Sequence, residues 1–116
     1  MKKPPELEKL YRRLFLMKDQ VTADQYVDSQ IFDANLYKTK LIHIQNKHET
    51  YPIAFRVLGS VGNDGWREVK RETVIQPGLE SYEVLTEKID SIKVQVRSID
   101  SGKSGVVDVA IEGLSE

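Results

Sequence analysis

Residues 53–69 read IAFRVLGSVGNDGWREV, and this stretch decides the fold class. Ile53, Phe55 and Val57 alternate with Ala54, Arg56 and Leu58, which gives a strand one fully apolar face and one mixed face. Gly59, Gly62 and Gly65 then stand close to Asn63 and Asp64. Glycine reaches positive φ without steric cost, and Asn and Asp tolerate it, so the chain is expected to reverse here. A second strand follows. Trp66 and Val69 are three apart instead of two, which breaks the alternation and predicts a bulge. Trp66, the only tryptophan, is expected to cap the edge of the core; the competing reading is an exposed platform for a sugar or a base.

Strand signals extend outward from this hairpin. In residues 40–46, KLIHIQN, Ile42 and Ile44 share one face and His43 takes the other. Pro77-Gly78 is a turn pair, a fixed φ followed by a permissive residue. Residues 80–86 carry Tyr82 and Val84 in alternation, and both are expected in the core. Further on, Ile92, Val94 and Val96 face inward while Lys93, Gln95 and Arg97 face out. The last strand, residues 106–112, buries Val107, Val109 and Ile111 and exposes Asp108 and Glu112. Six or seven short strands at this spacing predict a mainly β chain: an antiparallel β-sandwich, jelly-roll or immunoglobulin-like, over residues 38–116. Its expected core contains Phe55, Val57, Val94, Val96, Val107, Val109 and Ile111.

Residues 1–37 read differently. Pro4 and Pro5 suit the first turn of a helix, where no hydrogen bond is lost. From residue 6 to about residue 18, Leu7, Leu10, Tyr11, Leu14 and Met17 recur at helical spacing, and Glu8 is placed to pair with Arg12. A short N-terminal amphipathic helix is therefore expected. Alone it is marginal, so it needs a dock on its own sheet or on a neighbouring subunit. Leu7, Leu10, Tyr11 and Leu14 become candidate contact residues, together with Trp66. Residues 21–37 keep neither period and are expected to form an extended arm with one short strand.

A chain of 116 residues suits one domain. Charged residues reach 30% yet cancel to a net charge of -1, so no whole-molecule field favours nucleic acid or an anionic membrane. Lys2, Lys3, Lys9, Arg12, Arg13 and Lys18 make the N-terminal stretch locally basic, the one place a phosphate backbone would find charge, but no base-reading motif accompanies them. The absence of cysteine excludes a disulfide framework, thiolate metal sites and a Cys nucleophile. Charges interrupt the N-terminus where a signal peptide would be apolar, and no apolar run spans a membrane, so cytoplasmic synthesis is expected.

Reactive groups are sparse. His43 and His48 lack a carboxylate at metal-ligand spacing and fall short of a zinc site. Asn63-Asp64-Gly65 offers too few oxygens for calcium. Residues 100–105, DSGKSG, lack both the spacing of a phosphate-binding loop and the helix that follows one, and read as a flexible loop. No catalytic residue, metal, cofactor or small-molecule ligand is expected, nor an enzymatic activity.

The runs RVLGSVGNDGWREV, VIQPGLESYEVLT, IDSIKVQVRS and VVDVAIEG, all from Lys40 onward, resemble small β-sandwich structural proteins of phage and virus-like particles. In those, a strand ending in Gly-Ser leads through a Gly- or Asp-rich turn to a tryptophan, and a strand of the form I-x-V-x-V-x-S follows. The resemblance implies a non-enzymatic structural or assembly role in a virion head, neck or tail, exercised through homo-oligomeric protein contacts. It implies no catalytic or ligand residue. The alternative is a carbohydrate- or peptide-binding module that uses Trp66, Tyr51 and Tyr82.

Overall fold

The computed structural model describes residues 11–62 and 64–115. They form nine strands: β1 (Tyr11–Val21), β2 (Val27–Asp28), β3 (Phe32–Asp33), β4 (Thr39–Asn46), β5 (Ile53–Ser60), β6 (Arg67–Ile75), β7 (Glu80–Leu85), β8 (Ser91–Ser98) and β9 (Val106–Leu114). All pairings are antiparallel. Sheet A has the order β1-β9-β4-β7 and sheet B the order β2-β8-β5-β6, with β3 further along β8. Since β2 pairs with Val96 and Gln95 and β3 with Ile92 and Ser91, the two form one interrupted edge. Counted that way, the strand order is that of an eight-stranded jelly roll.

The stretch at residues 53–69 forms β5, a reversal and the start of β6, with Gly62 and Gly65 at φ of 59° and 81°. The expected bulge is present: Val57 pairs with Lys70 and Leu58 with Glu68, which leaves Val69 over. This hairpin joins neighbours within one sheet, whereas β4–β5, β6–β7, β7–β8 and β8–β9 each cross between sheets. Crossing places the apolar faces of both sheets against each other. Phe55, Val57, Val94, Val96, Val107, Val109 and Ile111 are all fully buried there, with Ile42, Ile44, Ile53 and Ile92.

The expected helix does not form over residues 11–18, which belong to β1; residues 6–10 lie outside the described residues. Leu14 and Leu16 face the core at strand spacing. A register shift between Phe15 and Met17 then inserts one residue, so Met17 also turns inward. The bulge sets Leu14 and Met17 three apart, the spacing a helix would give. Residues 21–37, expected as an arm, supply the end of β1 and the edge pieces β2 and β3, with Phe32 buried in the core.

Candidate interaction surface

Register in sheet A sorts its outward side chains into rows. Phe15, Ala110, His43 and Tyr82 form one; Arg13, Glu112, Leu41 and Val84 form the next; Tyr11, Leu114 and Thr39 form a third. Exposure is 58% at Tyr11, 41% at Phe15, 56% at Tyr82 and 61% at Val84, so four large apolar side chains of one sheet face stand in solvent. Tyr82 and Val84 are thus not in the core, contrary to expectation. Strand β7 is an edge strand: its half-buried Glu83 turns to the rim and meets Lys70 of β6 at 3.5 Å, which leaves the alternate residues facing out.

His43 and Tyr82 stack with ring centroids 4.4 Å apart and planes at 4°. His43 Nε2 lies 2.9 Å from one Glu80 oxygen, and the Tyr82 hydroxyl donates to the other at 3.3 Å. Across the face, Arg13 pairs with Glu112 at 3.2 Å, and Lys18 Nζ sits 4.6 Å from the centre of the Phe15 ring. Because Ala110 is small, the face is hollowed between these groups into a depression of about 240 Å³, lined by Arg13, Leu41, His43, Tyr82, Ala110 and Glu112. Cations therefore mark the β1 side of the face, and the Glu80 carboxylate marks the β7 side.

Asp108 anchors one corner. Expected to be exposed, it is 7% exposed, because the second bulge of β1, where Asp19 adopts φ of 50°, folds over it. Its carboxylate accepts the Asp19 N–H at 2.7 Å and the Lys18 ammonium at 2.9 Å, with Lys47 at 3.5 Å. Burial pushes this carboxyl up, but the Asp19 N–H, the Lys18 bond and the Lys47 charge outweigh it and hold it below the usual carboxylate range.

The outer face of sheet B carries a connected network of polar and charged side chains. Arg56 donates to Gln95 at 2.7 Å, Gln95 to Asp28 at 2.6 Å, and Lys93 to Asp28 at 3.1 Å. The Gln95 bond, then Lys93, holds the Asp28 carboxyl down against its desolvation. Glu72 pairs with Arg97 and accepts the Tyr26 hydroxyl, while the Arg56 guanidinium lies 4.2 Å from the Tyr26 ring centre.

Of the candidate contact residues, Leu7 and Leu10 lie outside the described residues, Tyr11 is on the sheet A face, and Leu14 packs against the core. Trp66 does not cap the core. It is 38% exposed, with the Lys93 ammonium 4.7 Å over its ring. Tyr51 stacks on His48 at 4.8 Å in the β4–β5 connection. Trp66, Tyr51 and Tyr82 are therefore not gathered on one face for a sugar. Phe15, on the β1 edge of the sheet A face, escaped the sequence reading; the signal available was the alternation Arg13-Leu14-Phe15-Leu16, masked by the helical spacing around it. The loop at residues 100–105 is pinned rather than free: Asp24 accepts the Gly102 N–H at 2.9 Å and the Ser101 hydroxyl at 3.1 Å. A cavity of about 520 Å³ at one end of the sandwich is lined by Leu36, Tyr37, Thr86 and Ile89 among others. Among the described residues no three potential ligands converge on a metal position, and no helix is long and apolar enough to cross a membrane.

No protein-family model matches the chain, and no curated protein does. Several solved structures are similar in fold, among them the following three. A chain of the Bacillus endospore appendages, described as a novel family of disulfide-linked pili, matches over 100% of this chain and 98% of its own length, with TM-score 0.57 and 11% identity. The SPBc2 prophage-derived protein YomS matches over 93% of this chain and 96% of its own, with TM-score 0.59 and 11% identity. A chain of infectious bursal disease virus, Gx strain, has TM-score 0.57 and 12% identity; it covers 98% of this chain, which spans only 36% of the viral chain. This chain has no cysteine, so the disulfide linkage of the pili has no counterpart in it.

Proposed function

We propose that this protein is a non-enzymatic structural component of a virion-type assembly, working through contacts between copies of itself. The observation that carries the reading is the sheet A face: Tyr11, Phe15, Tyr82 and Val84 stand exposed on it, with Tyr82 at the rim of a shallow depression, whereas the face of sheet B is crossed by a network of ion pairs. An exposed apolar sheet face rimmed by polar groups suits a protein contact. Near full-length likeness in fold to a prophage-derived protein and to a pilus chain supports the same reading. Light scattering coupled to gel filtration tests it on the full chain. Mass above one copy, rising with concentration, is expected. A single-copy mass up to millimolar protein would overturn it.

A further inference from the structure

We infer that the outer face of sheet A binds a second copy of this chain face to face, about a two-fold axis running parallel to the strands; this rests on the assembly reading above. Charge selects the axis. Rotation about a line parallel to the strands, over the middle of the sheet, exchanges β1 with β7 and β9 with β4 while each row keeps its height. Phe15 then meets Tyr82 of the second copy, and small Ala110 comes over the His43 ring that it must clear. The Lys18 ammonium, held beside Asp108 in the row of Gln45 and Glu80, meets Glu80 of the second copy. A two-fold axis across the strands would instead set β1 on β1, and with that axis at the height of Phe15, Arg13 of each copy meets Lys18 of the other. Opposed like charges disfavour that arrangement.

Extending the sheet edge to edge through β1 is the competing geometry. That edge is partly taken, since the Leu16 carbonyl accepts the Gln30 N–H at 3.3 Å. Area sets the strength of the face-to-face contact. Four strands about 4.8 Å apart, with about eight residues each at roughly 3.4 Å, give a face near 500 Å². Two copies then bury about 1,000 Å², enough for a specific contact but within the reversible class. The dimer is therefore expected to dissociate on dilution.

Sedimentation of the full chain tests this with Phe15→Glu and Tyr82→Lys, both at exposed positions, alone and mixed in equal amounts. The parent should form a reversible dimer, and each variant alone should associate at least about tenfold more weakly. Mixing should restore dimers, because one contact then joins the introduced carboxylate to the introduced ammonium and the other remains Phe15 against Tyr82. A parent that stays monomeric overturns the assembly reading and this arrangement together. A parent that oligomerises while both variants do so equally overturns this face alone. Variants that fail singly and stay monomeric when mixed overturn the pairing of Phe15 with Tyr82. Circular-dichroism melts establish that the variants fold; if one does not, Val84→Lys, which sets an ammonium against Arg13 of the second copy, replaces it as the single variant that should weaken association.

Discussion

The side chain of Asp108 accepts the backbone N–H of Asp19 at 2.7 Å, so a carboxylate on β9 holds the bulge of the neighbouring edge strand in place. A hydrogen bond to a charged group contributes about 1.5–3 kcal/mol, and Asp108→Ala should remove at least that much at neutral pH. The pH dependence follows from the direction of the shift. Folding holds this carboxyl below its unfolded value, so its contribution is fully present above the unfolded pKa of about 3.9 and is lost as pH falls through the folded value. Thermal melts of parent and Asp108→Ala should therefore differ most near neutrality and converge in acid. A gap that stays constant down to the acid limit would show that Asp108 does not act through its charge.

Gly113 lies under the Tyr37 ring, where an added β-carbon would stand 2.6 Å from a ring atom. Tyr37 is itself stacked on Phe32 at 5.5 Å and cannot retreat cheaply. Gly113→Ala should destabilise the fold by about 1–3 kcal/mol through overpacking. On a Tyr37→Ala background the same change should cost much less, a coupling that a denaturant double-mutant cycle measures directly.

Leu14 packs against the core from β1, so it should behave as a core residue and not as a contact residue. Leu14→Ser should lower stability by about 1–2 kcal/mol, since the side chain is only partly buried. The oligomeric state should be unchanged at temperatures where the variant is folded. Loss of the oligomer with an unaltered melting temperature would contradict this placement.

Val96 is fully buried, faces Phe55 across the β5–β8 ladder and pairs on its other side with Val27. Val96→Asp buries an unpaired carboxylate at a cost of several kcal/mol, against a total stability of about 5–15 kcal/mol. The variant should be unfolded at room temperature by circular dichroism. A cooperative melt close to that of the parent would show that this strand is not central.

How much of the molecule can be read without coordinates depends on whether alternation is uninterrupted. Strands β4 and β8 keep strict period two, and in β5 and β9 the inward set (Ile53, Phe55, Val57; Val107, Val109, Ile111) still recurs at every second residue although most neighbours are buried too, so the inward residues were identifiable because the pleat leaves only two faces to choose from. The candidate site was much less legible. It lies on edge strands, where one bulge shifts the phase of β1 into helical spacing and burial on one side no longer dictates which residues are apolar.

The sequence by itself determined the β class, the hairpin around Gly62 and Gly65, the bulge at Val69 and seven residues of the core. These follow from local periodicity and backbone sterics, which act within a few residues. Tertiary structure alone decided that residues 11–18 pair with β9 as a strand, that Tyr82 and Val84 face solvent, and that Asp108 is covered. Each depends on a partner tens of residues away in the chain: Leu14 meets Ile111, Tyr82 meets His43, and Asp19 meets Asp108. A short sequence window carries the pattern of two faces, but which face is buried is set by what the rest of the chain places against it.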